Sequence, residues 1–132
     1  MKGSYLLIVE VKNNFEKKIG SLGKIEFKKG FYCYVGSALG KSVNLENRIR
    51  RHLRKKKKVR WHIDYLLNSK FARIYGIIVI VSKKKEECKI SKRIEKFADG
   101  SIKGFGSSDC KCKSHLHYFS NLKKLIEVIE RL

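Results

Sequence analysis

The sequence has no proline and only twelve acidic residues in 132. Without proline, tight turns fall to the ten glycines. The acids face 32 Lys plus Arg, a formal charge of +20. A compact domain with that excess repels itself unless a polyanion meets it. Nucleic acid is the first such partner, and an anionic membrane surface is the second. Long apolar runs are missing too. Leu6–Val9 stops at Glu10, far short of a signal-peptide core or a membrane-spanning helix, so a cytoplasmic protein with no membrane partner is expected. Its four cysteines are then thiols or metal ligands, because disulfides are atypical of a reducing compartment. Enough remains to fold: 42% hydrophobic and 11% aromatic residues exclude pervasive disorder. A chain of 132 residues makes one domain.

Tyr5–Val11 reads as a strand, followed by a polar stretch to Gly23 with turn signals at Asn13-Asn14 and Gly20-Ser21. Ile25–Lys28 and Phe31–Val35 flank Lys29-Gly30 and read as a hairpin. Asn44 or Ser42 caps a helix that runs to Lys55, and a second short helix fits Trp61–Leu67. Ala72–Val81 is the most apolar segment and reads as a central strand buried on both faces. Helical spacing returns over Lys85–Phe97. Asp99–His115 is irregular, and Ser120 caps a last helix with Leu122, Leu125, Ile126, Ile129 and Leu132 on one stripe. The expected fold is α/β in the α+β sense: a small, mostly antiparallel central sheet flanked by helices, one domain over residues 1–132.

Ten basic residues and one acid, Glu46, fall between Lys41 and Arg60. Lys41, Arg51, Arg54, Lys55, Lys56, Lys57, Lys58 and Arg60 are the expected phosphate contacts, since such runs release counterions without reading sequence. A solubilising lysine surface is the plain alternative, but clustering near one helix favours a nucleic-acid face. At about 100° per residue, Leu45, Ile49 and Leu53 define the inward stripe of the first long helix. His52 and Arg48 lie on or beside that stripe, whereas Arg50, Arg51 and Arg54 turn to solvent. An inward Arg and His have to meet something polar, either structural partners or a ligand. On the Lys85–Phe97 helix, Glu87 faces inward with Ile90, Ile94 and Phe97. Its carboxylate either complements the helix dipole or holds a divalent cation against phosphate oxygens.

Gly3-Ser4-Tyr5 on the first strand and Tyr34-Val35-Gly36 ending the hairpin resemble the paired motifs of the GIY-YIG nuclease superfamily. Asn44-Leu45-Glu46-Asn47-Arg48 resembles its N-L-x-x-R segment, and His52 stands four residues on, where some members carry His and others Tyr. Glu87-x-x-Ile90 resembles the helix that supplies the metal-binding glutamate. The resemblance covers a common core of about residues 3–98. It implies an endonuclease hydrolysing DNA phosphodiester bonds with Mg²⁺ (or Mn²⁺) bound by Glu87. It implies that Tyr5 and Tyr34 position or deprotonate the attacking water, with His52 as the other candidate base and Arg48 offsetting charge on the phosphoryl oxygens. Ser4 stands where an apolar residue is usual, and Ser37 where many members have Lys. Trp61–Leu66 and Gly104–Phe119 resemble the hallmark of a small, mainly archaeal branch of unassigned function, with residues 99–132 its own loop and C-terminal helix. Members of that branch are sometimes fused to base-excision DNA glycosylases, which implies DNA repair as the setting and DNA rather than RNA as the partner.

Cys110-x-Cys112 and His115-x-His117 offer four zinc ligands within eight residues. So tight a C-x-C beside H-x-H lacks the usual intervening turn, and zinc is not the expected cofactor. The expectation is an ordered loop over Gly104–His117 that closes on the cleft. Ser107, Ser108 and Asp109 would then bond phosphate or a metal's water shell, with Cys110, Cys112, His115 and His117 as the fallback ligands of a second metal. Cys33 and Cys88 read as small buried hydrophobes. The alternative to a nuclease is a non-catalytic DNA- or RNA-binding module on the same fold. A small ribosome-associated protein, which needs no convergent site, stands third.

Overall fold

The computed structural model describes residues 1–40, 44–55, 58–107 and 111–132. Both faces of the first strand, β1 (Gly3–Val11), are apolar, and each carries its own core. Because side chains alternate along a strand, Tyr5, Leu7, Val9 and Val11 point to one side and Leu6 and Ile8 to the other. On the Tyr5 side lie α1 (Leu45–Leu53), α2 (His62–Leu67) and a small ribbon of β2 (Phe15–Lys18) with β3 (Lys24–Phe27). On the Leu6 side lie α3 (Glu87–Phe97) and α4 (Leu122–Glu130), through Ile90, Ile94, Leu125 and Val128. The result is the expected α+β fold, with a five-stranded antiparallel sheet between helices and a separate two-stranded sheet. The remaining strands are β4 (Gly30–Ala38), β5 (Ala72–Val81), β6 (Gly100–Ser101) and β7 (Leu116–Phe119), and the sheet order is β5-β1-β4-β7-β6.

The pairing differs from expectation in three places. The Ile25–Lys28 segment makes no hairpin with Phe31–Val35; β3 pairs with β2, where Phe27 stacks on Phe15 at 5.1 Å between ring centroids. Ala72–Val81 is an edge strand rather than a central one, paired to β1 alone, with Val81 63% exposed. The irregular stretch contains β6 and β7, and β7 pairs with Phe31–Tyr34 of β4.

Helix ends shift as well. Asn44 caps α1, accepting from the Asn47 N–H at 2.9 Å, while Leu53 in its last turn is exposed rather than inward. Phe97 at the end of α3 is exposed too. Asn121, not Ser120, caps α4, and Val128 takes the buried place expected of Ile126 and Leu132. Among the described residues, no helix is long and apolar enough to cross a membrane.

Candidate active site

Residue 5 of β1 stands opposite residue 36 of β4. A Cβ on Gly36 would collide with the Tyr5 ring, so glycine there lets the phenol lie flat over the neighbouring strand. The Tyr5 hydroxyl reaches His52 Nε2 at 2.8 Å, and both side chains are sealed from solvent. Tyr34, two residues before Gly36, completes a triangle: its ring centroid lies 6.5 Å from that of Tyr5 and 6.2 Å from that of His52. Burial pushes the Tyr5 hydroxyl up to about 12, with Arg48 beside it pulling the other way. Burial also pushes Tyr34 well above the ordinary phenol value. Both are therefore neutral phenols near pH 7.

Arg48, one turn before His52 on α1, places its guanidinium 4.5 Å from the centre of the Trp61 ring. Arg51 does the same at 4.2 Å, a cation–π pairing on one indole. Arg51 does not turn to solvent as expected. Its guanidinium binds the Asp64 carboxylate through two hydrogen bonds, at 2.9 and 2.8 Å. The same carboxylate accepts from the Arg60 and Trp61 backbone N–H groups, each at 2.9 Å. Burial alone would raise the Asp64 carboxyl, but these donors hold it below the usual range. Asp64 thus ties α1 to the start of α2 and fixes Trp61 over Arg48.

These residues open onto a cleft of about 420 Å³ whose lining includes Tyr34, Arg48, Arg60, His62, Lys85 and Glu87. Glu87 comes from the first turn of α3, on the other layer, so the cleft sits where the two layers meet at one end of the sheet. Its carboxylate is 14% exposed, with Lys85 Nζ at 3.8 Å and His115 Nδ1 at 3.8 Å. His62 was not anticipated as a site residue. Its Nδ1 accepts the Gly106 N–H at 2.9 Å, and burial lowers its proton affinity. A neutral imidazole used as an acceptor at Nδ1 carries its proton on Nε2, so His62 is a donor at the cleft wall. The sequence signal was the Trp61–Leu66 segment, of which Trp61 and His62 line the cleft and Asp64 forms the clamp, while Tyr65 packs against the core.

A family model described as a domain of unknown function, DUF123, matches residues 4–132. The chain belongs to the DUF123 family. No curated protein and no solved structure matches it. The family match spans both layers, so every cleft residue named above lies within the DUF123 domain.

The basic face and the late loop complete the domain. Arg54, Lys55, Lys58 and Arg60 are exposed, and Arg60 and Lys85 carry positive charge onto opposite lips of the cleft. Lys41, Lys56, Lys57, Ser108, Asp109 and Cys110 lie outside the described residues. Of the loop, Gly106 lines the cleft, and Phe105 accepts the His115 N–H at 2.8 Å. Ser107 is buried, and its hydroxyl donates to the Lys113 carbonyl at 3.5 Å. His117 is not with His115. Its ring nitrogens meet Ser91 Oγ at 2.7 Å and Ser101 Oγ at 2.6 Å. Cys33 is a buried core residue as expected, but Cys88 is half-buried and stands 3.8 Å from His115 Nε2.

Proposed function

We propose that this domain binds nucleic acid and hydrolyses phosphodiester bonds in DNA, in the manner of a GIY-YIG nuclease, with repair of DNA as its setting. The observation that carries the reading is convergence. Tyr34, Arg48 and Glu87, from three separate elements, line one cleft, and Tyr5 and His52 stand directly behind it. Tyr5 and Tyr34 also pack in the core, but packing alone does not explain why Arg48 and Glu87, from opposite layers, face the same polar opening.

Glu87 fits a magnesium ion of the kind that keeps most of its waters and takes one or two carboxylates plus substrate phosphate. It is the carboxylate lining the cleft, whereas Asp64 is fully engaged by four donors. Bound there, the metal would offset charge on the scissile phosphate and order a water. Arg48, steadied by Trp61, would bind the phosphoryl oxygens as charge develops. The His62 Nε2–H and Arg60 would hold flanking phosphate. Tyr34 would orient the attacking water from the cleft wall. The base role falls to His52, because imidazole is the side chain suited to accepting a proton near neutral pH. The Tyr5 hydroxyl, 2.8 Å from His52 Nε2, would hold that imidazole in place behind the cleft wall.

A second reading, a binding module without catalysis, is favoured by one contact: Lys85 Nζ stands 3.8 Å from Glu87 and competes with a metal for it. Labelled single-stranded, duplex, flapped and branched DNA, and RNA, incubated with Mg²⁺ or Mn²⁺, separate the two. On the nuclease reading, cutting is lost in Glu87→Ala and Arg48→Ala while binding persists. Binding without cutting on every substrate, unchanged in Glu87→Ala, would leave the module.

A further inference from the structure

The described cysteines have two quite different surroundings. Cys33 is packed among Leu6, Ile8 and Val35 in the core under α3 and α4. Cys88 and Cys112 instead meet at an imidazole: their sulfurs and a ring nitrogen of His115 all lie within 4.8 Å of one another. We infer that Cys88, Cys112 and His115 are ligands of a Zn²⁺ ion seated behind the cleft wall.

The distances suit that ion. With Zn–S near 2.3 Å and Zn–N near 2.0–2.1 Å, tetrahedral donors stand roughly 3.5–3.8 Å apart. Cys88 Sγ and His115 Nε2 are 3.8 Å apart, and every pair of the three donor atoms lies within 4.8 Å. Each ligand is also held in place. Cys88 follows Glu87 in the first turn of α3. The His115 N–H donates to Phe105 O at 2.8 Å, and its carbonyl accepts the Val35 N–H at 2.9 Å, so its backbone is held between the loop and β4. Cys112 and His115 are buried, and with three protein donors the fourth tetrahedral position is left to a water.

Two thiolates and an imidazole select a soft or borderline ion such as zinc over magnesium. On binding, the two thiols release their protons and the ion takes their place. The donor set differs from the one the C-x-C and H-x-H spacing suggested, because His117 is taken by two serines and Cys88 arrives from another element. The site stands whether or not the cleft cuts DNA. Its link to the proposed nuclease is His115, whose Nδ1 faces Glu87 Oε2 at 3.8 Å; a metal-bound His commonly gives its other N–H to such a carboxylate.

Metal content of the reduced, full chain tests the proposal. Purified from zinc-supplemented medium, it should retain about one zinc per chain through dialysis, the content of a single tetrahedral site. After exchange for Co²⁺ it should show thiolate-to-cobalt charge-transfer bands and tetrahedral d–d bands. Cys88→Ser and Cys112→Ser should each lose those bands, Cys33→Ala should keep them, and a strong chelator should lower the melting temperature of the wild type. The wild-type cobalt spectrum decides even if a variant misfolds. Three outcomes would overturn the site: no charge-transfer bands in the reduced wild type, bands unchanged in both Cys variants, or, in glutathione buffer, an intact mass two hydrogens light with the disulfide mapped by proteolysis to Cys88 and Cys112. None of these readouts uses cleavage, so a failure of the nuclease reading leaves them intact.

Discussion

The Arg51 guanidinium and the Asp64 carboxylate face each other in paired hydrogen bonds of 2.9 and 2.8 Å, and solvent does not reach the carboxylate. Truncating one partner of such a pair leaves a buried charge unanswered, at a cost of about 3–5 kcal/mol. Arg51→Ala should therefore lower stability by about that amount in urea titrations. Arg54→Ala, on the exposed basic face, should leave the urea midpoint in place. On the proposed function it should instead reduce the salt dependence of DNA binding by about one phosphate contact.

Burial raises the hydroxyls of Tyr5 and Tyr32 to about 12. Their neutral forms are favoured by folding, so the associated stability is complete below the ordinary phenol value near 10. It is lost as pH climbs from there through the folded value. Denaturant midpoints should be flat up to about pH 10 on this account, then fall toward pH 12, with phenolate absorbance at these two sites appearing in the same window. Tyr5→Phe should shallow that fall.

Gly36→Ala puts a methyl group where the Tyr5 ring lies. The ring has to move, and Tyr5 loses its position against His52 Nε2. Overpacking of this kind costs about 1–3 kcal/mol. On the proposed function, cleavage should drop far more than DNA affinity, and a crystal structure or tyrosine side-chain NMR would show the displaced phenol.

Ser4 is buried, and its hydroxyl has no hydrogen-bond partner among the described residues. An unsatisfied buried hydroxyl costs about 1–3 kcal/mol. Ser4→Ala should raise the melting temperature, with cleft chemistry unaltered because the side chain faces the α3–α4 layer. A lower melting temperature would mean that Ser4 has a polar partner after all.

Much of the cleft could be read from the sequence because its parts carry local signals. Asn44 caps a helix whose periodicity sends His52 inward, and the first-turn position of Glu87 does the same on α3. What could not be read depended on distant pairing. The apolar run of β5 reads as burial on both faces, but only Ile77 on one side and Ile78 and Ile80 on the other pack against the cores, while Tyr75, Val79 and Val81 are exposed. Apolarity does not report that one of its hydrogen-bonding edges is open. Arg51 looked solvent-directed because its partner, Asp64, belongs to another helix. Cys88 looked like a core residue because the imidazole beside it arrives 27 positions later in the chain.

Glu87 and its cleft partners belong to opposite layers, and they are also made at different times. Tyr5, Tyr34, Arg48 and His52 precede β5 and α3 in the chain, so synthesis delivers the cations and aromatic residues of the cleft first. The carboxylate follows only after β5 has added to the far side of β1. The phosphate-binding Arg48 and Arg60 of the proposed function thus precede its metal-binding Glu87 in synthesis. On the proposed function, cutting is the last property to emerge, and it waits on long-range contacts of the kind that form slowly.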